Sequence, residues 1–396
     1  MANLLEKSGL GLASQGISKP PATSNTKVYV GMSGGVDSSV SALLLKEQGY
    51  NVVGVYMKNW SKDLPGMKCP WAEDLADAKR VAVKLGIDFE VWDFEEAYFN
   101  KVVNYMLKEF KSGNTPNPDI MCNQEIKFKL FYEKALAAGA DFIATGHYAR
   151  RGEEAGPSLL RAVDENKDQT YFLYRISDEA LAHTLFPIGE MTKPEVKKIA
   201  EKNGLHNAYK KESMGVCFVG EVGMKDFLKE YIDIKPGEIR ESETDKVLGY
   251  HEGAVFYTIG QRHGLYLTGE KGQVNDGLPC YIVKKDIEKN ILYVSKNLNH
   301  EAIWTKELKL RDLLLRIGAF QGATAKELAR SPRGDDLERN EKPLKVLVRL
   351  RHRAPLIPAT LVGDALHFEK EIKRPASGQS AVIYDGEKCL GGGIII

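Results

Sequence analysis

Short apolar runs alternate with stretches of helical period through the first half of the chain. Val28, Tyr29 and Val30 read as a buried strand, and Ser38 to Gly49 carry Val40, Leu43 and Leu44 on one face of a helix. Val52 to Met57 predicts a second buried strand. Residues 72–85 predict a helix with Leu75, Val81, Ala82 and Leu85 on its apolar side, and Asp88 to Trp92 a short strand. Helical stretches near 95–111 and 124–138 come before another apolar strand, which begins at Asp141 and ends in a Gly146-His147 turn. Strand and helix in alternation imply an α/β fold, a parallel sheet with helices on both faces. Ligands of such sheets bind at the carboxyl ends of the strands. The turns at 31–38, at Met57 and at Gly146 all fall at such ends, so they can converge on one nucleotide.

From roughly residue 221 the pattern changes. Glycines at 237, 249, 253, 260, 264, 269, 272 and 277 punctuate short segments, which predicts a small β-rich central domain over 221–300. From 301 to 396 short alternating strands predict a C-terminal β-barrel, interrupted by a polar insertion from Ser331 to Lys342. In Lys345 to Arg353, Val346, Val348 and Leu350 are expected on one side and Arg349, Arg351 and Arg353 on the other, giving the barrel a basic face. Residues 1–26 read as a disordered extension ahead of a catalytic domain at 27–220.

Composition narrows the class. A chain of 396 residues, 43% hydrophobic and 28% charged, is expected to form two or three globular domains. No apolar run approaches the ~18 residues of a membrane helix. Residues 1–26 hold two lysines, no arginine and no signal-peptide core, so a cytoplasmic protein is expected. The net charge of +1 does not announce a nucleic-acid partner, which would need local basic patches. The five cysteines, at 69, 122, 217, 280 and 389, form no C-x-x-C pair, which argues against a secreted disulfide framework, a zinc site or an iron–sulfur site. No metal site made of protein side chains is expected.

The chemistry concentrates in a few segments. Gly31-Met32-Ser33-Gly34-Gly35-Val36-Asp37-Ser38 lies between a strand and a helix. Glycines at such a turn let backbone amides approach an anion, and the helix N-terminus adds its positive dipole end. This is a phosphate cradle, but without the Gly-Lys-Ser/Thr of P-loop enzymes or the G-x-G-x-x-G of dinucleotide folds. Cys122 follows the stiff segment Thr115-Pro116-Asn117-Pro118-Asp119 and is expected just before a helix, where the dipole favours thiolate. Asp119 is close enough in sequence to accept its proton. On residues alone Cys122 reads equally well as a buried structural cysteine. Cys217, bracketed by Val216, Phe218 and Val219, reads better as one.

The hexapeptide Ser33 to Ser38 resembles the PP-loop of the N-type ATP pyrophosphatases. With Thr115-Pro-Asn-Pro-Asp-Ile-Met-Cys122, Ala144-Thr-Gly-His-Tyr148, Lys167-Asp-Gln-Thr-Tyr-Phe172 and Ser213-Met-Gly-Val-Cys-Phe218, the chain from about residue 27 onward resembles the tRNA-specific 2-thiouridylases. The resemblance implies ATP-dependent conversion of the wobble uridine of tRNAs for Lys, Glu and Gln to 2-thiouridine. Cys122 then matches the nucleophile, Cys217 the persulfide carrier and Asp119 the acid/base group. The two cysteines would form a catalytic disulfide, and an upstream persulfide protein would supply sulfur. Gly31 to Ser38, Met57 and Gly146 match the ATP site, with Mg²⁺ arriving on ATP. Asn117, Pro118 and Asp119 match the contact to the target base. His147, Lys167, Asp168, Gln169, Arg351, His352 and Gln379 match tRNA contacts, His352 standing where the family often has an aromatic ring.

The alternatives are another PP-loop tRNA-modifying or amide-forming synthetase, which needs no pair of reactive cysteines; an iron–sulfur thiolase, which needs three clustered ones; and an RNA-binding protein without catalysis. A tRNA partner predicts affinity that falls steeply with salt.

Overall fold

The computed structural model describes residues 25–63, 69–153, 156–211, 223–267, 279–316 and 343–396. Cys217, and with it the Ser213 to Phe218 motif, the 1–24 extension and the 331–342 insertion lie outside the described residues.

The N-terminal part is a five-stranded parallel sheet. Its strands are β1 (Lys27–Gly31), β2 (Asn51–Lys58), β3 (Asp88–Asp93), β4 (Phe142–Ala144) and, introduced below in chain order, Thr184–Leu185, arranged 3-2-1-4 with the last strand beyond β4. Alternation along β1 decides the two cores. Val28 and Val30 face α1 (Val36–Glu47), α2 (Trp71–Leu85) and the helix Lys193–Lys202, whose Val196 and Ala200 share that core. Tyr29 faces the other way, into a core with Trp92 of β3 and with Val103, Met106, Ile126 and Phe131 from the helices spanning 95–111 and 118–137. The strand order reverses between β1 and β4, so the crevice at their carboxyl ends is the topological switch point of the sheet.

A hairpin of β5 (Ala149–Gly152) and β6 (Ser158–Arg161) follows β4, and Thr184–Leu185 is then β7. The middle sheet has the order β10-β9-β8-β12-β11, with β8 (Gly237–Glu241), β9 (Val247–His251), β10 (Tyr266–Leu267), β11 (Tyr281–Asp286) and β12 (Ile291–Ser295). It closes over Ile239, Ile282, Leu292 and Val294. The C-terminal strands are β13 (Trp304–Leu315), β14 (Leu344–Arg349), β15 (Ile357–Val362), β16 (Ala365–Lys373), β17 (Ser380–Asp385) and β18 (Lys388–Ile395). They run 13-16-15-14-17-18 and close through β13–β18 into a six-stranded barrel. The β5–β6 hairpin adds to β18, so one sheet joins the N-terminal part to the barrel. No helix among the described residues is long and apolar enough to cross a membrane.

Two sequence expectations need correction. The helix expected at 124–138 begins at Pro118, with Asn117 as N-cap accepting from the Asp119 amide at 3.2 Å. Cys122 is therefore inside the helix, one turn from its start, rather than in front of it. The basic face of β14 is also smaller than the alternation suggests. The strand ends at Arg349, which is 4% exposed and turned inward, while Arg351 and Arg353 sit exposed in the turn that follows.

Candidate active site

The loop after β1 lies at the switch point. Gly34 takes φ +76° and abuts the carbonyl of Asp74 in α2, a conformation and a closeness that exclude a side chain. Gly35 is the N-cap of α1 without any side-chain cap, Ser33 is exposed, and Ser38 and Val36 are buried beneath. The amides that open α1 are thus left for an anion. The Met57 side chain at the end of β2 crowds Gly31, and the Met32 amide donates to Val55 O at 2.8 Å. From the end of β4, Gly146 presses on the same turn: a Cβ there would lie 2.6 Å from the Ser38 nitrogen. The structure thus brings Gly31 to Ser38, Met57 and Gly146 together at the carboxyl ends of β1, β2 and β4, with the glycines allowing the backbones to approach closely.

Residues that the sequence reading missed complete it. Lys193, at the start of its helix and 7% exposed, sets its ammonium 2.7 and 2.8 Å from the two Asp37 carboxylate oxygens. The Tyr148 hydroxyl donates to the same carboxylate at 3.0 Å. Asn207, also buried, donates to Gly34 O and to Ser39 Oγ, each at 2.9 Å. A lysine that no motif contains thus anchors the loop through a buried ion pair with Asp37. No group of three or more His, Cys, Asp or Glu side chains able to hold a metal ion occurs among the described residues.

The helix at 118–137 supplies the second half. It widens to π geometry from Cys122 to Leu130, a rare local conformation that concentrates at functional sites. Cys122 is 3% exposed. Burial raises the Asp119 carboxyl above its usual range, with Lys127 two turns on opposing the shift. Such a carboxyl is a better proton donor and acceptor near neutrality than an exposed one. Phe128 packs on the His147 ring at 5.7 Å, and His147 Nδ1 lies 2.8 Å from Thr145 Oγ1. Burial, and after it the Lys127 charge, holds His147 well below its ordinary pKa, so it is neutral.

The expected tRNA contacts divide. Arg351 is exposed and Lys167 half-buried. The His352 ring lies against Phe172 with centroids 4.6 Å apart and the planes tilted by 46°. Gln169 is bound to Tyr148, its Oε1 accepting from the Tyr148 amide at 2.9 Å. Gln379 Nε2 donates to Thr115 O at 2.7 Å, bracing the loop that leads to Asn117. Asp168 is a correction. It is 1% exposed, and its carboxylate is taken by Arg349 at 2.6 Å and by the Thr170 hydroxyl at 2.8 Å. Its side chain holds the barrel to the N-terminal part and is not displayed to a partner.

A parallel-sheet domain with this loop at its switch point is a PP-loop ATP pyrophosphatase-type domain. Family models agree: residues 26–221 match one described as a tRNA methyl transferase HUP domain. Residues 225–296 match a tRNA methyl transferase PRC-barrel domain, and 331–395 an aminomethyltransferase beta-barrel domain. The chain is 46% identical over 383 residues to the tRNA-specific 2-thiouridylase MnmA of Idiomarina loihiensis, covering 94% of this chain and 97% of that one. It is 46% identical over 370 residues to MnmA 1 of Geobacillus kaustophilus, covering 93% and 95%. Among solved structures, a 4-thiouridine synthetase–RNA complex with bound ATP matches 47% of this chain and 43% of its own, at 17% identity and a TM-score of 0.32. The chain belongs to the tRNA-specific 2-thiouridylase family.

Proposed function

We propose that this protein converts the wobble uridine of tRNAs for Lys, Glu and Gln to 2-thiouridine in the cytoplasm, consuming ATP with Mg²⁺ and taking sulfur from an upstream persulfide protein. One observation carries the reading. The turn after β4 touches both halves of the site, Gly146 against Ser38 of the phosphate loop and His147 against Phe128 of the helix that bears Asp119 and Cys122. This contact supports a reading in which nucleotide chemistry and thiol chemistry share one crevice.

The uracil O2 is a poor leaving group, and the site makes it a good one. O2 attacks the α-phosphorus, pyrophosphate leaves, and the N3 proton passes to Asp119. The α1 amides and Lys193 hold the departing negative charge. The terminal sulfur of a Cys217 persulfide then attacks C2, and the C2–O bond breaks to release AMP. Cys122 thiolate attacks Cys217 Sγ, which returns the S–S electron pair to the transferred sulfur and leaves a Cys122–Cys217 disulfide. A thiol reductant must open that disulfide before the next turn. Asn117 and Pro118 frame the base, and Arg351, His352 and Lys167 meet the RNA.

The test is mass spectrometry of nucleosides from tRNA incubated with the protein, ATP, Mg²⁺ and a persulfide or sulfide source. Thiolated uridine is expected with wild type and is lost in Cys122→Ser and in Cys217→Ser. Full thiolation by both variants would defeat the two-thiol mechanism, and the absence of thiolated uridine with wild type would favour another PP-loop modification.

A further inference from the structure

The segment Gly113 to Thr115 leads straight into Asn117, Pro118 and Asp119, and groups from all three parts of the chain hold it. From the N-terminal part, Asn114 Nδ2 donates to the buried Glu109 carboxylate at 2.9 Å, which Arg311 of β13 also binds at 2.7 Å. From the barrel, Ser377 O accepts from the Thr115 amide at 2.8 Å, and Gln379 donates to Thr115 O at 2.7 Å. From the middle sheet come three contacts. Lys285 Nζ donates to Gly113 O at 2.6 Å, Ile287 packs against the α-carbon of Gly113, and Thr258 Oγ1 lies 3.4 Å from Thr115 Oγ1.

Lys285 is unusual among these. It lies on β11 just past a bulge between Ile282 and Lys284. A bulge re-aims the side chains that follow it. Lys284 stays exposed over the Tyr293 ring at 5.2 Å, whereas Lys285 turns in. Its second partner is Tyr257 O at 2.7 Å, so one ammonium ties a carbonyl of the middle sheet's own loop to a carbonyl of the catalytic loop. No carboxylate among the described residues pairs with it; burial brings its pKa down to about 8. A lysine kept in a place that disfavours its charge, for the sake of two carbonyls, is costly unless what it holds matters.

We propose that Lys285 is a positioning residue for the reaction: it fixes the backbone at Gly113 and thereby the placement of the Asn117–Asp119 turn over the nucleotide crevice. The middle domain is then part of the scaffold of the active site, and the catalytic loop is not set by the parallel-sheet domain alone. This rests on the reading of Asp119 given above, and the measurements are chosen to separate the two. Misplacing a catalytic loop by about 1 Å costs up to ~100-fold in rate even when both substrates still bind.

The experiment compares wild type with Lys285→Met, which keeps the aliphatic stem and removes the donors, and with Ile287→Ala, which loosens the same wall without touching a charge. The readouts are hydrogen exchange of amides 113–121 and the tRNA-dependent release of pyrophosphate. In Lys285→Met, exchange is expected to be at least about tenfold faster. Its kcat should fall by about ten- to a hundredfold, with KM for ATP unchanged and KM for tRNA within about twofold. Ile287→Ala should move both readouts the same way by less, and it decides the matter if the lysine variant does not fold. Unaltered exchange, or a defect confined to KM for tRNA, overturns the proposal. Asp119→Asn, assayed alongside, tests the acid/base reading separately: full turnover there would sink that role while the exchange data still judge the clamp.

Discussion

His352 shows how one side chain departs from what its type suggests. A histidine beside three arginines, at 349, 351 and 353, reads by its type as a titrating group. In the fold its ring lies on Phe172, 4.6 Å away, and burial with Arg353 beside it brings its pKa from 6.5 down to about 4. At neutral pH it is an uncharged aromatic surface. The consequence for stability has a definite sign. Between pH 6.5 and 4 the unfolded chain binds a proton that the folded chain refuses, so stability present above 6.5 is lost as pH falls toward 4. At ~1.4 kcal/mol per pKa unit the effect is at most roughly 3 kcal/mol, less because the ring is partly solvated. His352→Phe keeps the stacking and removes the proton site. Its unfolding midpoint should therefore vary less across that window than the wild-type midpoint does, with His147 and His251, which shift in the same sense, still contributing in both proteins. Identical pH profiles for the two proteins would mean that His352 is not held neutral.

At the scale of elements, the parts that were legible in the sequence are the ones that a few adjacent residues determine. The phosphate loop needs only a strand, two glycines and a helix in order, and it forms where the pattern puts it. The start of the Cys122 helix was misplaced at 124, although Asn117 followed by Pro118 is an N-cap with proline at the first helical position, a signal that puts the boundary at Pro118. The π widening from Cys122 to Leu130 was not legible, since nothing in its composition sets it apart from an α-helix. The turn after β4 tests how tightly these elements depend on one another. A methyl group at position 146 would stand 2.6 Å from the Ser38 nitrogen and 2.8 Å from the Asp37 carbonyl carbon, which is backbone and cannot swing aside. In Gly146→Ala the first turn of α1 must move. We expect KM for ATP in pyrophosphate release to rise by about tenfold or more, with the unfolding midpoint changed far less than for a core substitution. An unchanged KM for ATP would show that the loop and this turn do not form one phosphate site.

Across the whole molecule, what escaped the sequence is what long-range packing decides. Asp37 meets Lys193 from 156 residues away, and Asp168 meets Arg349 from 181. Neither pairing leaves a local trace, and the alternation around Arg349 pointed outward because it could not know that Asp168 and Tyr384 would meet that side chain. The β5–β6 hairpin continues the barrel sheet past β18, and Asp168, between that hairpin and the helix Thr170–Leu173, presents its carboxylate to Arg349 across the joint. Arg161 of β6 lies 3.6 Å from the same carboxylate, and the Arg349 guanidinium stands over the Tyr384 ring at 5.4 Å. Two opposed effects set the worth of this pair. Taking both charges out of water costs several kcal/mol, so their attraction gives little net stability relative to an apolar pair. Removing one partner is a different matter, because the buried Asp168 carboxylate then loses its nearest cation and keeps only Arg161 at 3.6 Å and the donors of Thr170 and Ala162. Arg349→Met should therefore lower unfolding stability by about 3–5 kcal/mol, while Arg349→Met combined with Asp168→Leu should recover most of the loss, a coupling measurable in a double-mutant cycle by denaturant titration. A surface arginine with a phosphate role behaves otherwise: the single variant would unfold like wild type, weaken tRNA binding and flatten its dependence on salt, and the second substitution would restore nothing. Near-wild-type stability of Arg349→Met would return the residue to the RNA-facing surface and deprive the barrel of its buried electrostatic tie to the nucleotide-binding sheet.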